Sequence, residues 1–216
     1  MSDMREINIR RLVWVAAFVF GLLLSARSLE AAEHPWRLRI DKDGVQAYTR
    51  QVDESSILEF KANIIVDVPL SDVVSVFEDV TRMTGWFYQC TLAELVQKED
   101  DINKVVYMTL RLPWPVTARD CVCRISKAVD SKTGALDYMV TALPDRRPLE
   151  RTKIRVPYLK GVWRFVPLAD GRTEIHFQQH SDPGGLIPTF ISNSLVVDMP
   201  YHSLRRLRAL IVGGKK

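Results

Sequence analysis

Arg119-Asp120 and Arg124 open a β-rich run, RDCVCR, and are the charged residues best placed to meet a ligand. A guanidinium facing a cavity can hold a phosphate or another polar head group through its planar fork. The plainer assignment is an Arg and an Asp that satisfy one another or nearby backbone. Strand alternation sends Arg119 to one face and Asp120, Val122 and Arg124 to the other. Acid–base chemistry needs Asp120, Arg124, Tyr107 and His202 to converge in one pocket, and nothing in the sequence shows that they meet. His176 and His180 lie about 13 Å apart by strand rise, too far to share a metal unaided. With Glu174 and Gln178 they read as a solvated face. The three cysteines, Cys90, Cys121 and Cys123, leave one thiol over in any pairing, and Cys121 and Cys123 share a strand face too widely spaced to bond. Buried free thiols are expected. No GxSxG, HExxH, phosphate-loop or dinucleotide-binding glycine pattern occurs. Basic residues do not interleave with aromatics as a nucleic-acid platform would require. The expectation is no catalytic residue, no metal, no cofactor and no nucleic-acid partner.

The elements that must position these residues are mostly strands. Trp36–Ile40 and Val45–Val52 flank the hairpin turn Asp43-Gly44, and Ile57–Val66 continues in β-rich residues. Pro69 breaks the pattern. Val73, Val74, Val76, Phe77 and Val80 then recur at helical spacing over Leu70–Val80, with Ser71 as candidate cap. Arg82–Tyr88 reads as a short irregular helix carrying Trp86 and Phe87. Further strands are expected over Thr91–Lys98, Lys104–Leu112, Arg119–Asp130, Ala135–Leu143, Lys153–Leu168 and Thr173–Ser181. On Val105–Leu112, alternation separates Val106, Met108, Leu110 and Leu112 from Tyr107, Thr109 and Arg111. Pro183-Gly184-Gly185 stops the last strand, and a long helix begins near Pro188. Its first half is apolar on more than one face, with Phe190 and Val197 on one side and Ile191, Leu195 and Met199 towards the other, too much for a single buried stripe. Pro200 interrupts its hydrogen bonding. Sequential antiparallel strands with helices early and last predict an α+β fold.

The chain has 216 residues, 47% of them hydrophobic and 26% charged, enough for one sizeable core. Its formal net charge of +4 names no partner. Arg5, Arg10 and Arg11 precede an uncharged run from Leu12 to Leu24, followed by small residues. That layout predicts a signal peptide over 1–31, cleaved after Ser28 or Ala31, ahead of a domain over 32–216. As a helix the run reaches about 20 Å, short of a bilayer core of roughly 30 Å, which favours cleavage over an uncleaved inner-membrane anchor. Export, in the first instance to a periplasm, follows from either. Arg205, Arg206, Arg208, Lys215 and Lys216 crowd the end of the chain, suiting a helix C-terminus.

Several pieces, in order, resemble the START (StAR-related lipid transfer) family. They are Pro113-Trp114-Pro115 with Arg119-Asp120, Gly161-Val162-Trp163 with Pro167-Leu168, Asp170-Gly171-Arg172-Thr173, and Asp182-Pro183-Gly184-Gly185-Leu186-Ile187-Pro188. The resemblance spans roughly Trp36 to Leu210 and implies a helix-grip fold, a curved antiparallel sheet wrapped around the C-terminal helix with one lipid held beneath it. A sheet so bent leaves space that side chains do not easily fill, so an apolar cavity of about 300 to 1,000 Å³ is expected. The resemblance places Trp114 on a proline-stiffened loop at the ligand entrance, where an exposed ring would touch a membrane surface together with the basic C-terminus. Ligand contacts are expected from Trp114, Arg119, Asp120 and Arg124, and from Phe190, Val197, Tyr201 and Leu204 on the helix. The implied function is non-enzymatic binding and carriage of one lipid or similar hydrophobic molecule. The alternative is an enzyme of the wider superfamily, cyclase-like or hydrolase-like, using the same cavity.

Overall fold

The computed structural model describes residues 34–214. The expected signal peptide, its cleavage site, Lys215 and Lys216 lie outside them. Ten strands follow the chain as β1 (Arg37–Lys42), β2 (Val45–Val52), β3 (Ser55–Val66), β4 (Cys90–Lys98), β5 (Asn103–Leu110), β6 (Arg119–Val129), β7 (Leu136–Ala142), β8 (Ile154–Arg155), β9 (Tyr158–Pro167) and β10 (Thr173–Asp182). Helices α1 (Leu70–Glu78) and α2 (Met83–Trp86) interrupt them after β3, and α3 (Thr189–Gly213) closes the chain. They form one sheet in the order β1-β2-β3-β10-β9-β7-β6-β5-β4, with β8 attached to β6. Every neighbouring pair along that path is antiparallel.

The long-range pairing of β3 with β10 joins the first three strands to the rest, setting Ala62 opposite Phe177 and Ile64 opposite Ile175. Alternation then decides the faces. Thr173, Ile175, Phe177 and Gln179 of β10 are buried, whereas Glu174, His176, Gln178 and His180 face outward. His176 lies 3.3 Å from Glu174, and His180 meets Ser55 at 3.1 Å, so the polar row is a surface. The inner face is covered by α1, α2 and α3. Val73, Val76 and Phe77 of α1 are buried at helical spacing, and Phe77 packs at 4.9 Å on Phe165 and 5.6 Å on Trp86. Trp163 stacks on Phe177 at 3.7 Å. Each such aromatic contact adds about 0.5 to 1.5 kcal/mol beyond area burial.

Three local expectations change. The stretch Lys153–Leu168 is two strands, because Pro157 has no N–H for a ladder. The short β8 instead pairs in parallel with β6, the Val156 N–H donating to Asp120 O at 2.9 Å. Ser71 is not a cap. Pro69 precedes α1 without a side-chain hydrogen bond, and the Ser71 hydroxyl reaches Asp72 at 3.4 Å. The helix predicted over Leu70–Val80 ends at Glu78, where Asp79 leaves helical geometry and caps a 3₁₀ turn. The cysteines are buried free thiols, as expected. Burial pushes the Cys90 thiol up to about 11.

Candidate functional site

Between the inner sheet face and the first half of α3 lies an apolar cavity of about 100 Å³. Phe77, Trp86 and Phe87 line one wall, Met108, Leu110 and Cys121 another, and Leu195, Val196 and Met199 form the roof. The polar residues lining it are few: Arg119, Gln179, Ser181 and Ser192. The space falls below the roughly 300 Å³ at which ligand cavities begin, so the expected cavity exists but is smaller than expected.

Burial along α3 explains how such a space opens. In its second half Tyr201, Ser203, Leu204, Leu207 and Ile211 are buried, three of them completely. In its first half, over Ile191–Met199, Ser192 alone is buried. The boundary falls at Pro200, which supplies no N–H to the Val196 carbonyl. Few contacts therefore hold the roof, one of them the Leu58 N–H donating to Asn193 Oδ1 at 3.3 Å.

Arg119 is 1% exposed and faces the cavity. Its Nε donates to Pro183 O at 3.1 Å, Nη2 to Gly184 O at 2.8 Å, and Nη1 to Thr117 O. It thereby ties the base of the Trp114 loop to the segment leading into α3. Burial pushes its pKa down from the usual guanidinium value. Gly184 and Gly185 meet it in left-handed backbone, φ 67° and 66°. A Cβ on Gly185 would lie 2.9 Å from Ile154 Cδ1 and 3.4 Å from Arg119 Nη2.

Of the residues expected to contact a ligand, Arg119 lines the cavity and the other seven do not. Asp120 points to the outer face, where Arg155 Nε and Nη2 reach its two oxygens at 3.0 and 2.9 Å. That face is buried too, Leu143 packing on its Val105, Tyr107 and Val122. Arg124 is exposed and pairs with Glu99 at 2.8 Å. Trp114 is 93% exposed and Phe190 75% exposed. Val197 is half-buried on the side of α3 away from the cavity. Tyr201 and Leu204 belong to the solid core under the second half of the helix, Tyr201 donating to Asp43 at 2.7 Å. The helix is apolar around much of its circumference, so hydrophobicity alone could not choose its inner face. The residues missed were Ser192, Leu195, Val196 and Met199, spaced i, i+3, i+4 and i+7 and in phase with Ser203 and Leu207. Gln179 continues the inward parity of Ile175 and Phe177.

A curved antiparallel sheet gripping a C-terminal helix over an apolar cavity defines the helix-grip class. The family model for the START domain matches residues 23–210, and the chain belongs to that family. An uncharacterised protein of Pseudomonas aeruginosa is 32% identical over 204 residues, 94% of this chain and 96% of that one. A crystal structure of a STAR-related lipid transfer protein fragment from Xanthomonas axonopodis, 35% identical, matches with TM-score 0.76 over 82% of this chain and 98% of that chain. The phosphatidylcholine transfer protein of Bos taurus is 24% identical over 164 residues, 73% of this chain and 75% of its own.

Proposed function

We propose that this protein binds one lipid in the cavity beneath α3 and carries it between membranes or partners without chemical change. The observation that carries the reading is an apolar cavity roofed by a half-helix with few buried contacts. Each methylene withdrawn from water contributes about 0.8 kcal/mol, enough for acyl chains to drive the roof outward. The likeness to two proteins named for lipid transfer supports it. The cavity chemistry favours carriage over catalysis. Asp120, Tyr107 and Arg124 face away from it, and His202 stacks on Tyr88 at 4.7 Å. The Arg-flanked apolar run Leu12–Leu24 supports an exported, periplasmic setting.

Exchange takes place at a membrane surface through Trp114, joined by Leu186 and Phe190, all strongly exposed. Burying one such side chain contributes about 1.5 to 3 kcal/mol. Arg205, Arg206 and Arg208 lie about 24 to 28 Å along α3 from its first residue, so they contribute electrostatic attraction only if the helix lies along the surface. Native mass spectrometry of protein purified from the exported fraction tests carriage. A co-purifying lipid mass is expected, and an empty protein that turns over a test substrate overturns the reading. Trp114→Ala is expected to slow extraction of lipid from vesicles with little change in thermal stability.

A further inference from the structure

We infer that Arg119 is an oxyanion receptor inside the cavity, so that the ligand is a lipid whose head carries an anionic oxygen, phosphodiester or carboxylate, beside its apolar tails. The inference rests on the carrier reading and specifies its ligand. Among the described residues two guanidiniums are deeply buried, those of Arg119 and Arg155. Arg155, on the outer face, is neutralised by both oxygens of Asp120. Arg119, facing the cavity, has three backbone carbonyls as partners and, among the described residues, no carboxylate within ion-pairing distance. Carbonyl dipoles solvate the cation but leave its charge uncompensated, a costly state in an apolar interior. Three of its five N–H groups are engaged, leaving two to donate. Independently, Ser192 lines the same cavity 4% exposed, and its Oγ is buried with no hydrogen-bond partner. Gln179, 5% exposed, also lines it. One cation with neutral hydroxyl and amide groups matches a single negative charge on an otherwise neutral head.

The test offers the protein an equimolar mixture of dioleoyl phosphatidylglycerol, oleate and dioleoylglycerol, and reads occupancy by native mass spectrometry. A charge-assisted hydrogen bond predicts a preference of at least about tenfold for an anionic species over dioleoylglycerol. Enrichment of phosphatidylglycerol assigns a phosphodiester head, and enrichment of oleate a carboxylate. Arg119→Gln is expected to lose the preference, the anionic lipids then occupying the folded variant no more than dioleoylglycerol does. Dioleoylglycerol bound as well as both anions, or a folded Arg119→Gln that keeps the preference, overturns the inference and leaves carriage standing. No uptake of any of the three overturns both. Should Arg119→Gln fail to fold, the head-group comparison on the unaltered protein decides.

Discussion

Asp120 and Arg124 occupy the same strand face, yet their side chains have opposite energetic weight. The Asp120–Arg155 pair is almost fully buried and bidentate. Removing one partner of such a pair leaves an uncompensated interior charge, so Asp120→Asn is expected to cost about 3 to 5 kcal/mol in urea unfolding while the surviving folded fraction keeps its lipid selectivity. Arg124 is 44% exposed beside Glu99, and Arg124→Ala is expected to change stability by no more than about 0.5 kcal/mol, with vesicle transfer unaltered. Gly185 is a third case. Its φ of 66° and the closeness of Ile154 leave no room for a side chain, so Gly185→Ala should lower stability by at least about 1 kcal/mol, read as a shifted denaturation midpoint.

The helix α3 behaves as two pieces divided at Pro200. Native-state hydrogen exchange should be faster over Ile191–Met199 than over Tyr201–Ile211, and a bound lipid should narrow the difference by supplying the missing contacts. The second half also carries a proton-linked contact. Burial between Tyr88 and Tyr201, with Arg205 and Arg206 nearby and Asp198 opposing them, holds His202 below the usual imidazole pKa. Its folded pKa is therefore below the unfolded value of 6.5. At higher pH the ring is neutral in both states and its contribution is complete. As pH falls through that range the unfolded chain takes up the proton first, and stability is lost until the folded ring protonates too. Thermal melts between pH 7.5 and 5 should show this loss, and His202→Gln should flatten it.

At the scale of the molecule, the relevant quantity is the mismatch between a cavity of about 100 Å³ and any lipid. Loading must enlarge the space, and the bound form must be stabilised by mass action, about 2.7 kcal/mol at a hundredfold excess over Kd. Val196→Phe puts a ring into the roof of the cavity. It should leave the melting temperature within a few degrees and nearly abolish vesicle-to-vesicle lipid transfer, because filled space offers tails nothing to displace. If transfer persists, lipids are carried elsewhere on the protein.

The sequence by itself determined most of the strands, the hairpin turn at Gly44, the closing helix and the family, because alternation, turn chemistry and helical spacing are local. It also determined that Arg119 and Asp120 part company, since successive side chains of a strand oppose. Which of the two looks inward was decided by the pairing of β3 with β10 and by the folding of residues 143–156 over the outer face, contacts between residues far apart in the chain. The inner side of α3 was decided the same way: a helix apolar around much of its circumference takes its orientation from the surface it meets, and only the assembled sheet provides that surface.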